Sequence, residues 1–354
     1  MKNLEELSKA VKTEANRLGF NHTGVAPSLP VPRYQAYLRW VEEGLHADMG
    51  YLDRPDTLKK RGNPQEILEG CQRVICLALP YQPPQSPLGA CPPGKGRISN
   101  YALIQDYHDL IWEKLAVLEN YIHSTAGERV KTKSYVDTGP ILERSYASTG
   151  GLGTAGKNSC LIIKGFGTYY FLAEILTDLP LPTDEPFTQD LCGSCTRCID
   201  ACPTVCIRDD HTIDTGRCIS YLTIENKGII PDDLKPHIGS WVFGCDVCQM
   251  VCPHNAWTPE QDYVLGEPKL EEHLDLLNLF TLSKKEFNDK FAGTALLRAK
   301  RNGMLRNAAV VLGNQRYQPA LPLLREAAMK ETDEAVIDAC NWAIQSIEAQ
   351  PASD

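Results

Sequence analysis

Eight of the fourteen cysteines, all between Cys192 and Cys252, fall at spacings suited to wrapping iron–sulfur cubanes. The first run is Cys192-x2-Cys195-x2-Cys198-x3-Cys202-Pro203. In two-cluster ferredoxins the first three cysteines of such a run hold one cluster and the fourth crosses to the other. The second run is Cys245-x2-Cys248-x3-Cys252-Pro253, with Val242 where a first cysteine would stand. Crossing the fourth cysteines puts one cluster on Cys192, Cys195, Cys198 and Cys252. The other takes Cys202, Cys245 and Cys248 and needs one more thiolate. Cys206 and Cys218 are both candidates. Cys218 is favoured because the turn DDHTIDTGR lets the chain double back, whereas Cys206 lies only four residues past Cys202. Zinc held by four thiolates also uses Cys-x-x-Cys knuckles, but it does not call for the x3-Cys-Pro ending twice. The other cysteines have no metal-ligand spacing. Cys76 and Cys160 sit in apolar strand-like runs and Cys340 on a helix, where a free cysteine is a small core residue.

A cluster pair only moves electrons, so the rest of the chain must hold the chemistry. At 354 residues there is room for two or three domains. Residues 1–180 read as an α/β domain, with helix-like segments at 4–18, 32–44 and 106–124. Its strand-like runs follow Cys71 (RVICLALPY), surround Val136 and follow Asn158. The stretch 80–97, dense in Pro and Gly, reads as a long surface loop. A polar linker at 181–190 leads into the cysteine module, taken as 181–260. From 261 to 354 the chain reads as paired helices, an α-α repeat too short to stand alone. The expected class is therefore α+β / α/β with an all-helical end.

No stretch approaches the roughly 18–20 apolar residues that cross a bilayer, and residues 1–20 lack the apolar core of a signal peptide. A cytoplasmic location is expected, where thiols stay reduced. The net charge of -9 argues against a generic nucleic-acid coat. Between 284 and 306, however, seven basic residues face two acidic ones, a local +5.

Beyond the cysteines, several motifs resemble the epoxyqueuosine reductase family of tRNA maturation, and the resemblance runs over nearly the whole chain. They are KKRGNP (59–64), ISNYALIQDYH (98–108), YVDTGPILERSYA (135–147), GLGTAGKNSCLI (151–162), CGSCTRCIDACPT (192–204) and GCDVCQMVCPHN (244–255). The C-terminal RNAAVVLGN, ALPLLREAA and DEAVIDACNWAI are similar to that family's HEAT-like repeat. The resemblance implies reduction of the epoxide of epoxyqueuosine, in the anticodon loop of tRNA, to the cyclopentene of queuosine. It also implies base-off cobalamin, held by the N-terminal domain and fed by two 4Fe-4S clusters. No D-x-H-x-x-G motif occurs, so a protein histidine on cobalt is not expected.

By the same resemblance, Asp137 matches the proposed proton donor. Read alone, Asp before Thr-Gly-Pro is also a good turn former that would cap the next helix. For the corrin the resemblance points to Arg61, Ser99, Asp137, Leu161, Ile162, Ile163, Leu172, Ile219, Asn226 and Asp246, the aliphatic ones equally suited to plain core packing. Some family members carry a cysteine where Ser99 stands.

With tRNA as substrate, Lys284, Lys285, Arg298, Lys300, Arg301 and Arg306 become candidate phosphate contacts, since backbone phosphates ask only for basic side chains. The expected remaining partner is an external one-electron donor of flavodoxin or ferredoxin type, serving a monomer. Two other readings are a cobalamin-dependent reductase of a small molecule, dehalogenase-like in design, and a ferredoxin-type carrier. The carrier leaves about 190 N-terminal residues without a purpose.

Overall fold

The computed structural model describes residues 3–83, 86–127, 129–256 and 268–349. The expected domain boundary between 260 and 261 lies outside them. Among the described residues no helix is long and apolar enough to cross a membrane.

The N-terminal part is built on a four-stranded sheet. Its strands are β1 (His22–Pro27), β2 (Arg73–Pro80), β4 (Thr132–Tyr135) and β7 (Tyr170–Thr177), in the order β1-β2-β7-β4. β2 is buried along almost its whole length because both faces are covered. Ile75, Leu77 and Leu79 pack toward α1 (Leu4–Arg17) and α4 (Tyr107–Ala126). The alternate residues Val74, Cys76 and Ala78 pack toward α5 (Glu143–Thr149). A continuous apolar run of this kind suggests a parallel strand in an α/β domain. The sheet corrects that expectation, because every pairing in it is antiparallel. This part is α+β, and the double burial comes from helices on both faces. Gly24 on β1 is needed for that packing, since a Cβ there would collide with the carbonyl of Gly150 just past α5.

Helix ends follow local chemistry. Asn3 accepts from the Glu5 amide to start α1, and Asp106 accepts from the His108 amide to start α4. Between β1 and β2 lie α2 (Tyr34–Glu42) and α3 (Pro55–Gly62). A two-stranded ribbon of β5 (Thr154–Ala155) and β6 (Leu161–Ile162) precedes β7.

A second sheet ties the chain together. Its strands are β3 (Lys95–Ile98), β8 (Trp241–Phe243) and β9 (His273–Asp275), in the order β8-β3-β9. β3 runs parallel to β8 and antiparallel to β9. Each strand comes from a different one of the three segments read as domains. One apolar core likewise joins Ile98, Ile219, Phe243, Leu276 and Val310. The cysteine module contributes α6 (Arg197–Ala201), α7 (Ile219–Ile224) and α8 (Val247–Met250). The C-terminal helices are α9 (Leu276–Thr281), α10 (Lys284–Lys290), α11 (Lys300–Asn314), α12 (Leu321–Lys330) and α13 (Glu334–Glu348). α11 is buried from Met304 to Gly313 and packs on α13, where Gly313 leaves room for Trp342 and Ala343. The helical end is therefore docked on the rest, as two short helix pairs require.

Candidate active-site cleft and cysteine module

The two cysteine runs fold alike. Cys198 lies on α6 and Cys248 on α8, and these short helices pack on one another. Cys202 and Cys252 follow them in extended backbone, at φ -68° ψ 112° and φ -68° ψ 123°. The prolines that come next disfavour helical backbone there. Cys218 adopts nearly the same conformation, φ -68° ψ 125°, at the start of α7.

The eighth position is crowded. The Cys206 sulfur lies 3.4 Å from that of Cys202 and also meets the Cys218 thiol, so both candidates stand beside the second group of thiolates. Cys160 departs from expectation. Its thiol is in hydrogen-bonding contact with Cys248, so it belongs to this neighbourhood and not to a separate core. Cys76 and Cys340 are buried as expected.

Asp137 sits just past β4 with a positive φ of 55°, which turns its side chain out of the strand. Its Oδ2 accepts a 2.6 Å hydrogen bond from the Tyr107 hydroxyl. The Arg298 guanidinium stands 3.7 Å away, and His108 Nε2 3.8 Å away. The first turn of α4 presents Tyr107 and His108, and the capping Asp106 bonds His108 Nδ1 at 2.8 Å. Tyr107 is held by stacking on Phe171 at 4.3 Å, and the Arg298 guanidinium lies over the Tyr107 ring, 5.7 Å from its centroid. Burial first, and the Asp137 charge second, raise the Tyr107 phenol well above its ordinary range, so it remains a donor. α5 begins only at Glu143 and has no side-chain cap, so capping is not the role of Asp137. Under the turn, the Glu143 carboxyl accepts from the Asp137 amide and meets Glu174 of β7.

Arg61 donates to the Ile141 carbonyl at 3.1 Å and lies over the Tyr37 ring, while its Nε has no partner among the described residues. Tyr51, 48% exposed, lies within electrostatic reach of Glu225, Asp137, Arg61 and Arg298. These groups, drawn from the N-terminal part and from the later segments, therefore lie near one another around Tyr51, at what we take as the candidate cleft. Ser99 and Asp246 come together, the serine hydroxyl donating to Oδ1 at 2.6 Å and the Asn100 amide to Oδ2 at 2.7 Å. Burial raises the Asp246 carboxyl above its usual range. Asp246 follows Cys245 directly, and the buried Tyr101 phenol is pushed up first by burial and, in smaller part, by the Asp137 and Asp246 charges. Leu161, Ile162 and Ile163 are nearly fully buried, and β6 pairs with no strand but β5 among the described residues. Leu172 is only partly buried. Ile219 is core-buried, and the Asn226 side chain accepts from the Gly228 amide at 2.8 Å.

The basic run divides. Lys284, Lys285 and Lys300 are exposed. Arg306 is 1% exposed and donates to the carbonyls of Leu222, Asn226 and Gly228 at 2.6, 2.9 and 2.7 Å. It braces α7 against α11 and cannot face a phosphate. Arg301 is largely buried in a 2.8 Å ion pair with Glu331. Arg298 belongs to the Asp137 cleft. Spacing alone marked none of Tyr107, Glu143, Glu174 and Cys160; their only signal was membership of the quoted motifs and of the run after Asn158.

Two family models match the chain. One, described as a 4Fe-4S double cluster binding domain, covers residues 191–255. The other, described as epoxyqueuosine reductase QueG, DUF1730, covers residues 61–138. A Pseudomonas aeruginosa protein named epoxyqueuosine reductase is 36% identical over 96% of this chain and 94% of its own. A solved epoxyqueuosine reductase with an epoxyqueuosine-modified tRNA-Tyr stem loop is similar at TM-score 0.86 and 30% identity, over 98% of this chain and 91% of that one. The Bacillus subtilis epoxyqueuosine reductase, solved with an aspartate catalytic loop swung out of the active site, is similar at TM-score 0.87 and 30% identity, over the same shares.

Proposed function

The chain belongs to the epoxyqueuosine reductase family, and from that premise we propose how its own residues carry out the reduction of epoxyqueuosine to queuosine in tRNA. The net change is one epoxide, two electrons and two protons to one alkene and one water. The chain is an oxidoreductase with an iron–sulfur double-cluster domain. We assign Cys192, Cys195, Cys198 and Cys252 to one cluster, and Cys202, Cys218, Cys245 and Cys248 to the other. Cobalamin, when bound, supplies the low-valent cobalt that reduces the epoxide.

The observation that carries this reading is the Asp137 carboxyl, set on a turn beside Tyr107 and Arg298. Asp137 gives a proton to the departing oxygen. The Tyr107 hydroxyl and the Arg298 guanidinium then stabilise the carboxylate that remains.

The donor set suits a corrin in part. Arg61 has a buried Nε with no hydrogen-bond partner among the described residues, chemically fit for an amide carbonyl or phosphate. The outer edge of β6, with Leu161 and Ile162, offers backbone partners beside apolar side chains. Ser99 and Asp246 form a polar pair on the cluster side. Ile219 and Asn226 support this wall from within the core. Lys284, Lys285 and Lys300 supply phosphate contacts, with the HEAT-like helices as their platform. A hollow lined by Arg197, Asp200, Met250, Cys252 and Asn255 gives a flavodoxin- or ferredoxin-type donor access near the first cluster.

Titration of the anaerobic, cluster-loaded protein with cob(II)alamin, followed by electron paramagnetic resonance, tests the cofactor assignment. Stoichiometric binding that weakens in Arg61→Ala supports it. Absence of binding by the wild-type protein contradicts it.

A further inference from the structure

Beneath Asp137 two carboxyl groups meet, and among the described residues neither is in an ion pair; Arg144 and Arg61 act on Glu143 only from a distance. Glu174 is on β7, opposite Cys76 of β2 and Tyr135 of β4. It is 1% exposed, and neither of its oxygens has a donor among the described residues. Glu143 opens α5, and its carboxyl meets that of Glu174 and accepts from the Asp137 amide. Its Oε1 is likewise out of solvent with no donor.

The nearby cations are committed elsewhere. Arg61 donates to the Ile141 carbonyl, and Arg144 to the carbonyl of Ser159. The remaining titratable groups facing the pair are Asp137 and the buried thiol of Cys76. Two ionised carboxylates in contact away from water repel one another and lack solvation. One proton between them turns one acceptor into a donor and removes both penalties, as in other dyads that hold a single proton. The reaction consumes two protons per epoxide, and Asp137 holds one.

We infer that Glu143 and Glu174 share one proton beneath Asp137 and return it to Asp137 in each turnover. This rests on Asp137 being the proton donor proposed above. Asp137 passes its proton to the departing oxygen. The proton of the pair then moves to the Asp137 carboxylate, and the pair takes another from solvent. No electron moves in this step. The pair acts through Asp137 and touches neither substrate nor cofactor, so it is a positioning element with a store of charge. Burial, and then the charge of Asp137, pushes Glu143 up to about 7. Burial, and then Glu143, pushes Glu174 up as well. The store is loaded below neutral pH and empties above it.

The test uses Glu143→Gln, Glu174→Gln and, as a reference, Asp137→Asn. Infrared spectra of the purified protein without tRNA should show a protonated-carboxyl stretch at pH 6 that shifts in heavy water and is lost in Glu174→Gln. This readout needs no turnover. In kinetics, Glu174→Gln should keep the rate of the first proton transfer in a single turnover, which draws on Asp137, while steady-state kcat, which needs the second proton as well, falls by about tenfold or more. The wild type is expected to decline above about pH 7, and the Glu174→Gln profile should lose that decline. The inference is overturned if the wild type has no protonated carboxyl at pH 6, or if both Gln variants keep the band, the rate and the profile. If Asp137→Asn is inactive while the Gln variants behave as wild type, only this inference falls. If Asp137→Asn turns over normally, the donor assignment falls with it.

Discussion

The hydroxyl of Tyr107 donates a 2.6 Å hydrogen bond to Oδ2 of Asp137, joining the first turn of α4 to the turn after β4. Since Tyr107 is itself fixed on Phe171, the position of the carboxyl is set by the core of the N-terminal sheet. Removing only the hydroxyl, in Tyr107→Phe, should lower kcat by about tenfold to a hundredfold, within the span of a single positioned proton-transfer partner. KM for the tRNA should stay within about twofold. An unchanged kcat would mean that the hydrogen bond has no part in the reaction.

Arg306 should prove structural. Arg306→Ala leaves the carbonyls of Leu222, Asn226 and Gly228 without their donor, the first two buried, at a cost of about 1–3 kcal/mol for each buried one. Chemical unfolding should show a large drop in stability, with the salt dependence of tRNA binding unaltered in the protein that remains folded. Reversing the charges of Lys284, Lys285 and Lys300 should do the opposite, weakening tRNA binding and flattening its salt dependence with stability held. If the two sets behave alike, the division of the basic run is wrong.

Cys218 and Cys206 can be separated by metal content. Cys218→Ala should lose about half of the iron and sulfide and the signal of one cluster. Cys206→Ala should keep both clusters, since its sulfur only neighbours Cys202 and Cys218. The reverse pattern would give the eighth place to Cys206.

The carboxyl pair also has a consequence for stability. Glu143 has an ordinary value of 4.5 and is raised to about 7 in the folded chain, so the native state holds a proton that the unfolded chain has released. Its contribution is fully present below about pH 4.5 and is lost as pH rises through about 7. Between pH 5 and 8 the wild-type holoprotein should lose about 1–3 kcal/mol more than Glu174→Gln. Parallel unfolding curves at the two pH values would contradict this.

Much of the architecture was legible in local patterns. The periodicity and the caps at Asn3 and Asp106 mark α1 and α4, and the cysteine spacing marks the double-cluster domain that covers residues 191–255. Strand direction was not legible. A strand buried on both faces has the same composition whether its neighbours run parallel or antiparallel, so β2 suggested the wrong kind of sheet. Charge was a poor guide to exposure, because Arg306 is read as a surface cation until the carbonyls around it are known. The meeting of Glu143 with Glu174 depends on the docking of α5 over β7, which no short window contains. Cys160 was hidden for the same reason, since its relation to Cys248 exists only in three dimensions.

The most direct measurement is mass spectrometry of nucleosides from tRNA carrying epoxyqueuosine, after incubation with the anaerobic, cluster-loaded protein, cobalamin and a one-electron reductant. The wild type should convert epoxyqueuosine to queuosine only when cobalamin is present. Asp137→Asn, with clusters and cobalamin bound, should lose about a hundredfold or more of that rate. Queuosine formed equally well without cobalamin, or by Asp137→Asn at the wild-type rate, would contradict the account.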